Sequence, residues 1–113
     1  MMELPVKPDE TRWSSMSFMD QMANIGSEVG RTAKWISKGK QSMAEGAFIR
    51  ALDLFDLTIK YARLGKEGRE SALLELCRSR ELFTGAYLEK DCGTLNWLDS
   101  YFGHFAISSR LGR

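Results

Sequence analysis

Thiols and imidazoles are scarce in this chain, which has two cysteines and one histidine in 113 residues. Cys77 lies in an apolar helical stretch and Cys92 beside a glycine, too little for a disulfide framework. Adding the single His104 still leaves too few soft ligands for a zinc site, so neither a metal nor a cofactor is expected. Free thiols without a framework point to a reducing cytoplasm. An excess of one charge is also missing: 16 basic and 15 acidic side chains leave a formal +1, which removes any whole-molecule argument for binding nucleic acid or a membrane surface. No apolar run approaches the roughly 20 residues that span a bilayer, so no membrane partner is expected. The first 13 residues carry Glu3, Lys7, Asp9, Glu10 and Arg12 without an apolar stretch and are expected to be neither signal peptide nor anchor. Nucleophile motifs and phosphate loops are lacking too.

What is present is an apolar stripe at three- and four-residue steps: Phe18, Met22, Ile25, Val29 and Ile36, then Phe48, Leu52, Phe55, Ile59 and Ala62. That is the period of a helix burying one face, so the chain reads as all-α. Both prolines, Pro5 and Pro8, lie near the start, so residues 1–13 read as an extended lead-in, docked by Trp13, before a single domain over 14–113. A first helix is expected at about 15–38, capped by Ser17 with Asp20 and stopped at Gly39. Ser42 and Glu45 form a capping box that opens a second helix over about 43–63, with Gly65 allowing the turn. A third follows Lys66, carrying Leu73, Leu76, Cys77, Phe83, Thr84 and Tyr87 on one side until Asp91, Cys92 and Gly93 break it. Thr94 or Asn96 then caps a fourth helix bearing Leu98, Phe102 and Phe105. Connections this short predict an antiparallel, up-down-up-down four-helix bundle. A tetratricopeptide reading, suggested by Trp35, Gly39, Ala51 and Phe55, fails at its next copy. There Leu73, Gly85 and Glu89 stand where Gly, Ala and Phe belong.

Five groups of residues are candidates for function. Arg80 is surrounded on its helical wheel by Leu76, Cys77, Phe83, Thr84 and Tyr87, so it is expected to turn inward and to form a buried ion pair. Glu28 flanks the first helix's stripe and is set down as its partner; Glu81 is adjacent in sequence, and Asp53 and Asp56 lie outside the second helix's best stripe. Arg31, Lys34 and Lys38 share one face, Lys40 follows and Trp35 sits alongside. That ridge complements the helix dipole, and it could also hold phosphates while a nucleobase stacks on Trp35. Gly26 and Gly30 each cost about 1 kcal/mol of helix stability relative to alanine, which calls for close approach of another helix, within the bundle or across an oligomer interface. Trp13 and Trp97, large amphipathic groups near helix boundaries, are further interface candidates. His104 has only Asp99 and serines on its own helix, so no catalytic residue is assigned and no enzyme is expected.

Four short-linked helices with an Arg in the stripe of the third resemble the small helical-bundle accessory proteins of bacteria. Among these are the HEPN group, the ribosomal-RNA intervening-sequence proteins and the Avd proteins that accompany reverse transcriptases. HEPN ribonucleases carry a His four to six residues after their Arg, whereas Thr84, Gly85 and Ala86 stand at that distance from Arg80. The resemblance therefore implies a noncatalytic bundle that binds RNA or a protein partner, while helix-face burial points to a homo-oligomer or an adaptor on a larger protein, within a nucleoprotein assembly.

Overall fold

The computed structural model describes residues 8–63 and 70–111, and these contain five α-helices and no strand. The first, α1 (Glu10–Ser15), falls partly inside the segment expected to be extended. Asp9 opens it by accepting from the Arg12 amide at 3.2 Å, and Trp13 anchors it. The Trp13 side chain is buried; its Nε1 donates to Thr58 Oγ1 at 2.9 Å, and its carbonyl accepts from Gln21 Nε2 at 2.8 Å. A single docked aromatic thus supplies the tertiary support that lets so short a helix persist.

Helix α2 (Phe18–Ser37) begins at the expected cap, with Ser17 accepting from the Asp20 amide at 3.1 Å. It ends in a Schellman turn: Gly39, at φ 69°, donates to the Ile36 carbonyl, and Lys40 donates to that of Trp35. Helix α3 (Gln41–Arg63) starts one residue before Ser42, so Ser42 lies inside the helix rather than capping it. Its buried row is Ala44, Ala47, Ala51, Phe55, Thr58 and Ala62, while Phe48, Leu52 and Ile59 are only half-buried. The larger Phe48, Leu52 and Ile59 flank that row on the helical wheel, and Phe48 packs on Phe83 and Tyr87.

Helix α4 (Glu70–Leu88) buries Leu76, Ser79, Phe83 and Ala86; Cys77 is exposed and Thr84 half-buried, outside the interior face expected for them. The turn expected at Gly65 and the helix start after Lys66 lie outside the described residues. Lys90 closes α4 in a second Schellman turn, at φ 55° and without a glycine. Helix α5 (Cys92–Leu111) is capped by Asp91, not by Thr94 or Asn96. Asp91 accepts from the Thr94 amide at 3.1 Å and from its hydroxyl at 2.7 Å, and these bonds hold its carboxyl below the usual carboxylate range.

Helix α2 packs against α3 and α5, α4 closes against the same two, and α1 lies on α3. Phe55, Phe83 and Phe102 meet at the centre, with ring centroids 5.9 Å apart for Phe55–Phe83 and 5.7 Å for the edge-on Phe55–Phe102 pair. Among the described residues every buried side-chain polar atom has a hydrogen-bond partner, and no helix is long and apolar enough to cross a membrane.

Candidate interaction surface

The charged groups expected to pair with each other do not. Arg80 lies at the edge of the buried side of α4, where it meets α3, and bonds Asp56 through Nε–Oδ1 at 2.8 Å and Nη2–Oδ2 at 3.4 Å. Its side chain remains 34% exposed, so it is not a buried cation. Glu28 is the buried member of a different network, in which Oε2 accepts from Arg50 Nε at 2.8 Å and Oε1 is bonded by Arg31 Nη1. Arg50 was not among the sequence candidates; its position on α3 facing α2 becomes visible only once those helices are packed.

A Cβ on Gly26 would meet the Cβ of Phe102, so that position serves the α2–α5 approach; one on the half-buried Gly30 would meet only the end of the exposed Asp99 side chain, with Oδ1 at 2.7 Å. Trp13 is interior. Of the four interface candidates only Trp97 stays at the surface, 58% exposed.

The basic ridge is partly engaged with itself. Arg31 bonds Glu28, and the ammonium groups of Lys34 and Lys38 lie 5.0 and 5.7 Å from the Trp35 ring centroid. A base stacking on that indole would compete with these cation–π contacts. Among the described residues Lys34, Lys38 and Lys40 form no ion pair.

Arg80, Tyr87 and His104 lie in separate surroundings. Arg80 is bound to Asp56, Tyr87 stacks on Phe48 with centroids 3.8 Å apart, and His104 is exposed on α5. Among the described residues no three His, Cys, Asp or Glu side chains gather as a metal site.

The feature that sequence reasoning missed is the outer side of α4. Leu74, Leu82 and Leu88 are exposed there, Leu88 by 71%, on a helix whose opposite side buries Leu76 and Phe83. Hydrophobic residues on two sides of one helix were the available signal, since a helix covered on one side alone keeps its apolar groups in one stripe. Across the seam, Trp97 of α5 stacks on Tyr101 with centroids 5.6 Å apart, and the Tyr101 hydroxyl donates to Glu75 of α4. Burial and the Glu75 carboxylate together push the Tyr101 phenol up to about 12. Helix α4 is flanked by two clefts. One of about 560 Å³ runs toward α5 between Arg78, Glu81, Leu82, Gly85, Glu89 and Thr94; the other, of about 420 Å³, lies toward α3 beside Ile59, Cys77 and Arg80.

A scan against protein-family models and searches of curated proteins and of solved structures return no match for this chain.

Proposed function

We propose that this chain is a noncatalytic helical-bundle adaptor that self-associates or docks on a larger protein. In this reading α2 to α5 form the antiparallel, up-down-up-down bundle, and α1 is a clasp on α3. The observation that carries it is the pairing of a closed interior with an open apolar surface. Among the described residues the buried side-chain polar groups are satisfied, yet Leu74, Leu82 and Leu88 of α4 and Trp97 of α5 remain in water. Met19 of α2, Met43 of α3 and Ile107 of α5 are exposed as well, but Leu74, Leu82 and Leu88 share the outer side of one helix. That arrangement marks an association surface, and the charged residues around the cleft resemble its polar rim. This is also the role implied by the likeness to HEPN-like, intervening-sequence and Avd-like bundles.

The test is light scattering coupled to size exclusion, with absorbance read at the nucleic-acid and protein wavelengths. The wild-type chain is compared with the double variant Leu82→Glu/Trp97→Ala. A discrete assembly, free of nucleic acid and lost in the variant, is the expected result. An assembly that survives both substitutions unchanged would refute the surface.

A second reading, direct binding of RNA or single-stranded nucleic acid along Arg31, Lys34, Trp35, Lys38 and Lys40, is favoured by the lysines that find no carboxylate among the described residues. Its signature is affinity that falls steeply with salt and disappears when the ridge lysines are replaced by alanine.

A further inference from the structure

Helix α4 carries a seam at heptad spacing on its open side: Arg78, Leu82, Gly85 and Glu89, all lining the larger cleft. Steps of four, three and four residues keep these positions on one line, as in the contact seam of a coiled coil. Their chemistry is self-complementary. A cation stands at one end and a carboxylate at the other, about 16 Å apart at the helical rise, and between them sit a leucine and a gap. Among the described residues neither Arg78 nor Glu89 forms an ion pair. Leu82 is 46% exposed, and a Cβ on Gly85 would meet nothing within 4 Å.

Gly85 bears on the occupant because glycine weakens a helix interior, and at one other position in this protein that loss goes with the close approach of a second helix. Gly26 admits Phe102 of α5. Gly85 is exposed on α4, with no neighbour among the described residues to fill the space in front of it.

Resting on the self-association branch of the proposed function, we infer that the occupant is a second copy of this chain, whose α4 lies antiparallel on the first across a twofold axis between Leu82 and Gly85. In that register Arg78 faces Glu89 of the other copy, and Leu82 enters the space over its Gly85. Each contact occurs twice, as an isologous interface requires. Antiparallel packing also sets the helix dipoles in opposition. Cleft walls bearing Glu81 and Asp91 beside Arg78 carry both signs of charge, which suits another copy of the same surface better than a polyanion.

Reversing one charge at a time tests the register. In Arg78→Glu every cross-axis pair becomes two carboxylates, and in Glu89→Arg every pair becomes two guanidiniums. An equimolar mixture of the two variants restores one opposite-charge pair at each site. The expected result by light scattering is a wild-type mass of twice the 12.8 kDa chain, monomers for each variant alone, and the doubled mass regained on mixing. Both positions are exposed, and circular dichroism of each variant confirms that the fold is intact. A wild-type dimer that persists in both variants places the contact elsewhere and overturns this interface while leaving the association reading in place. A wild-type chain that stays monomeric at its highest soluble concentration also overturns the interface. The adaptor reading is then judged separately, on whether assembly with another protein is lost in Leu82→Glu/Trp97→Ala.

Discussion

Gly26 of α2 and Phe102 of α5 stand so close that a Cβ built on Gly26 would lie 2.6 Å from the Cβ of Phe102 and 3.4 Å from its carbonyl oxygen. That contact fixes the spacing of the two most extensively packed helices. Gly26→Ala must move α5 backbone, and overpacking of this kind is expected to cost about 1–3 kcal/mol despite the gain in helix propensity. Gly30→Ala meets only the end of the exposed Asp99 side chain, which can swing away. It is expected to be neutral or to stabilise by up to about 1 kcal/mol. Urea unfolding of the two variants side by side checks the contrast, and equal effects would contradict the packing described.

Lys90 is the second test of backbone geometry. It holds φ 55° at the end of α4, where Gly39 holds 69° at the end of α2, and both turns have the same pair of hydrogen bonds. A side chain in the left-handed region is strained, so Lys90→Gly is expected to stabilise the fold by about 0.5–1 kcal/mol. Thermal unfolding measures it, and a lower melting temperature would argue against the turn.

The network around Glu28 predicts an unequal pair of losses. Arg31 is 55% exposed and one turn away on the same helix, so Arg31→Met is expected to cost about 0.3–0.5 kcal/mol. Arg50 reaches the carboxylate from α3, and Arg50→Met removes a charge-assisted bond to a buried acceptor. With allowance for its own 41% exposure the expected loss is about 1–2 kcal/mol. Denaturant midpoints for the two variants give the order.

Tyr101 supplies a pH dependence. Its phenol is raised from 10.0 to about 12 in the fold, first by burial and then by its bond to Glu75. The fold therefore favours the neutral form. Its contribution is complete below pH 10 and is lost as the pH rises from 10 toward 12. The melting temperature of the wild-type chain should fall across that window more steeply than that of Tyr101→Phe. A residual slope from Tyr61 and Tyr87, whose phenols are also raised, remains in the variant. Identical slopes would contradict the bond to Glu75.

The sequence made visible what is local or periodic. The Ser17 cap, the Gly39 stop and the α2 stripe through Met22, Ile25 and Val29 all stand as expected, because each depends on residues within a few positions of one another. It concealed what depends on packing across helices. Asp91 looked like a breaker, yet Lys90 closes α4 and the Asp91 carboxylate caps α5. The Ser42 box went unused because α3 begins earlier. Residues 10–13, expected to be extended, are helical because Trp13 reaches Thr58, 45 residues along the chain. Arg80 and Glu28 were expected to pair with each other, whereas their partners, Asp56 and Arg50, are set by how α3 lies between α2 and α4. Of the candidate surface only Trp97 was legible, since outward leucines on α4 are distinguishable from core leucines only when the facing helices are in place.

The most direct test of the account is a photo-cross-linking residue placed at position 82 in one variant and at position 35 in another, each expressed and irradiated in cells. Adducts to protein at position 82, including a species of twice the chain mass, with none to nucleic acid at position 35, are the predicted result. Nucleic-acid adducts at position 35 with no protein adduct at 82 would contradict an adaptor that works through the outer face of α4.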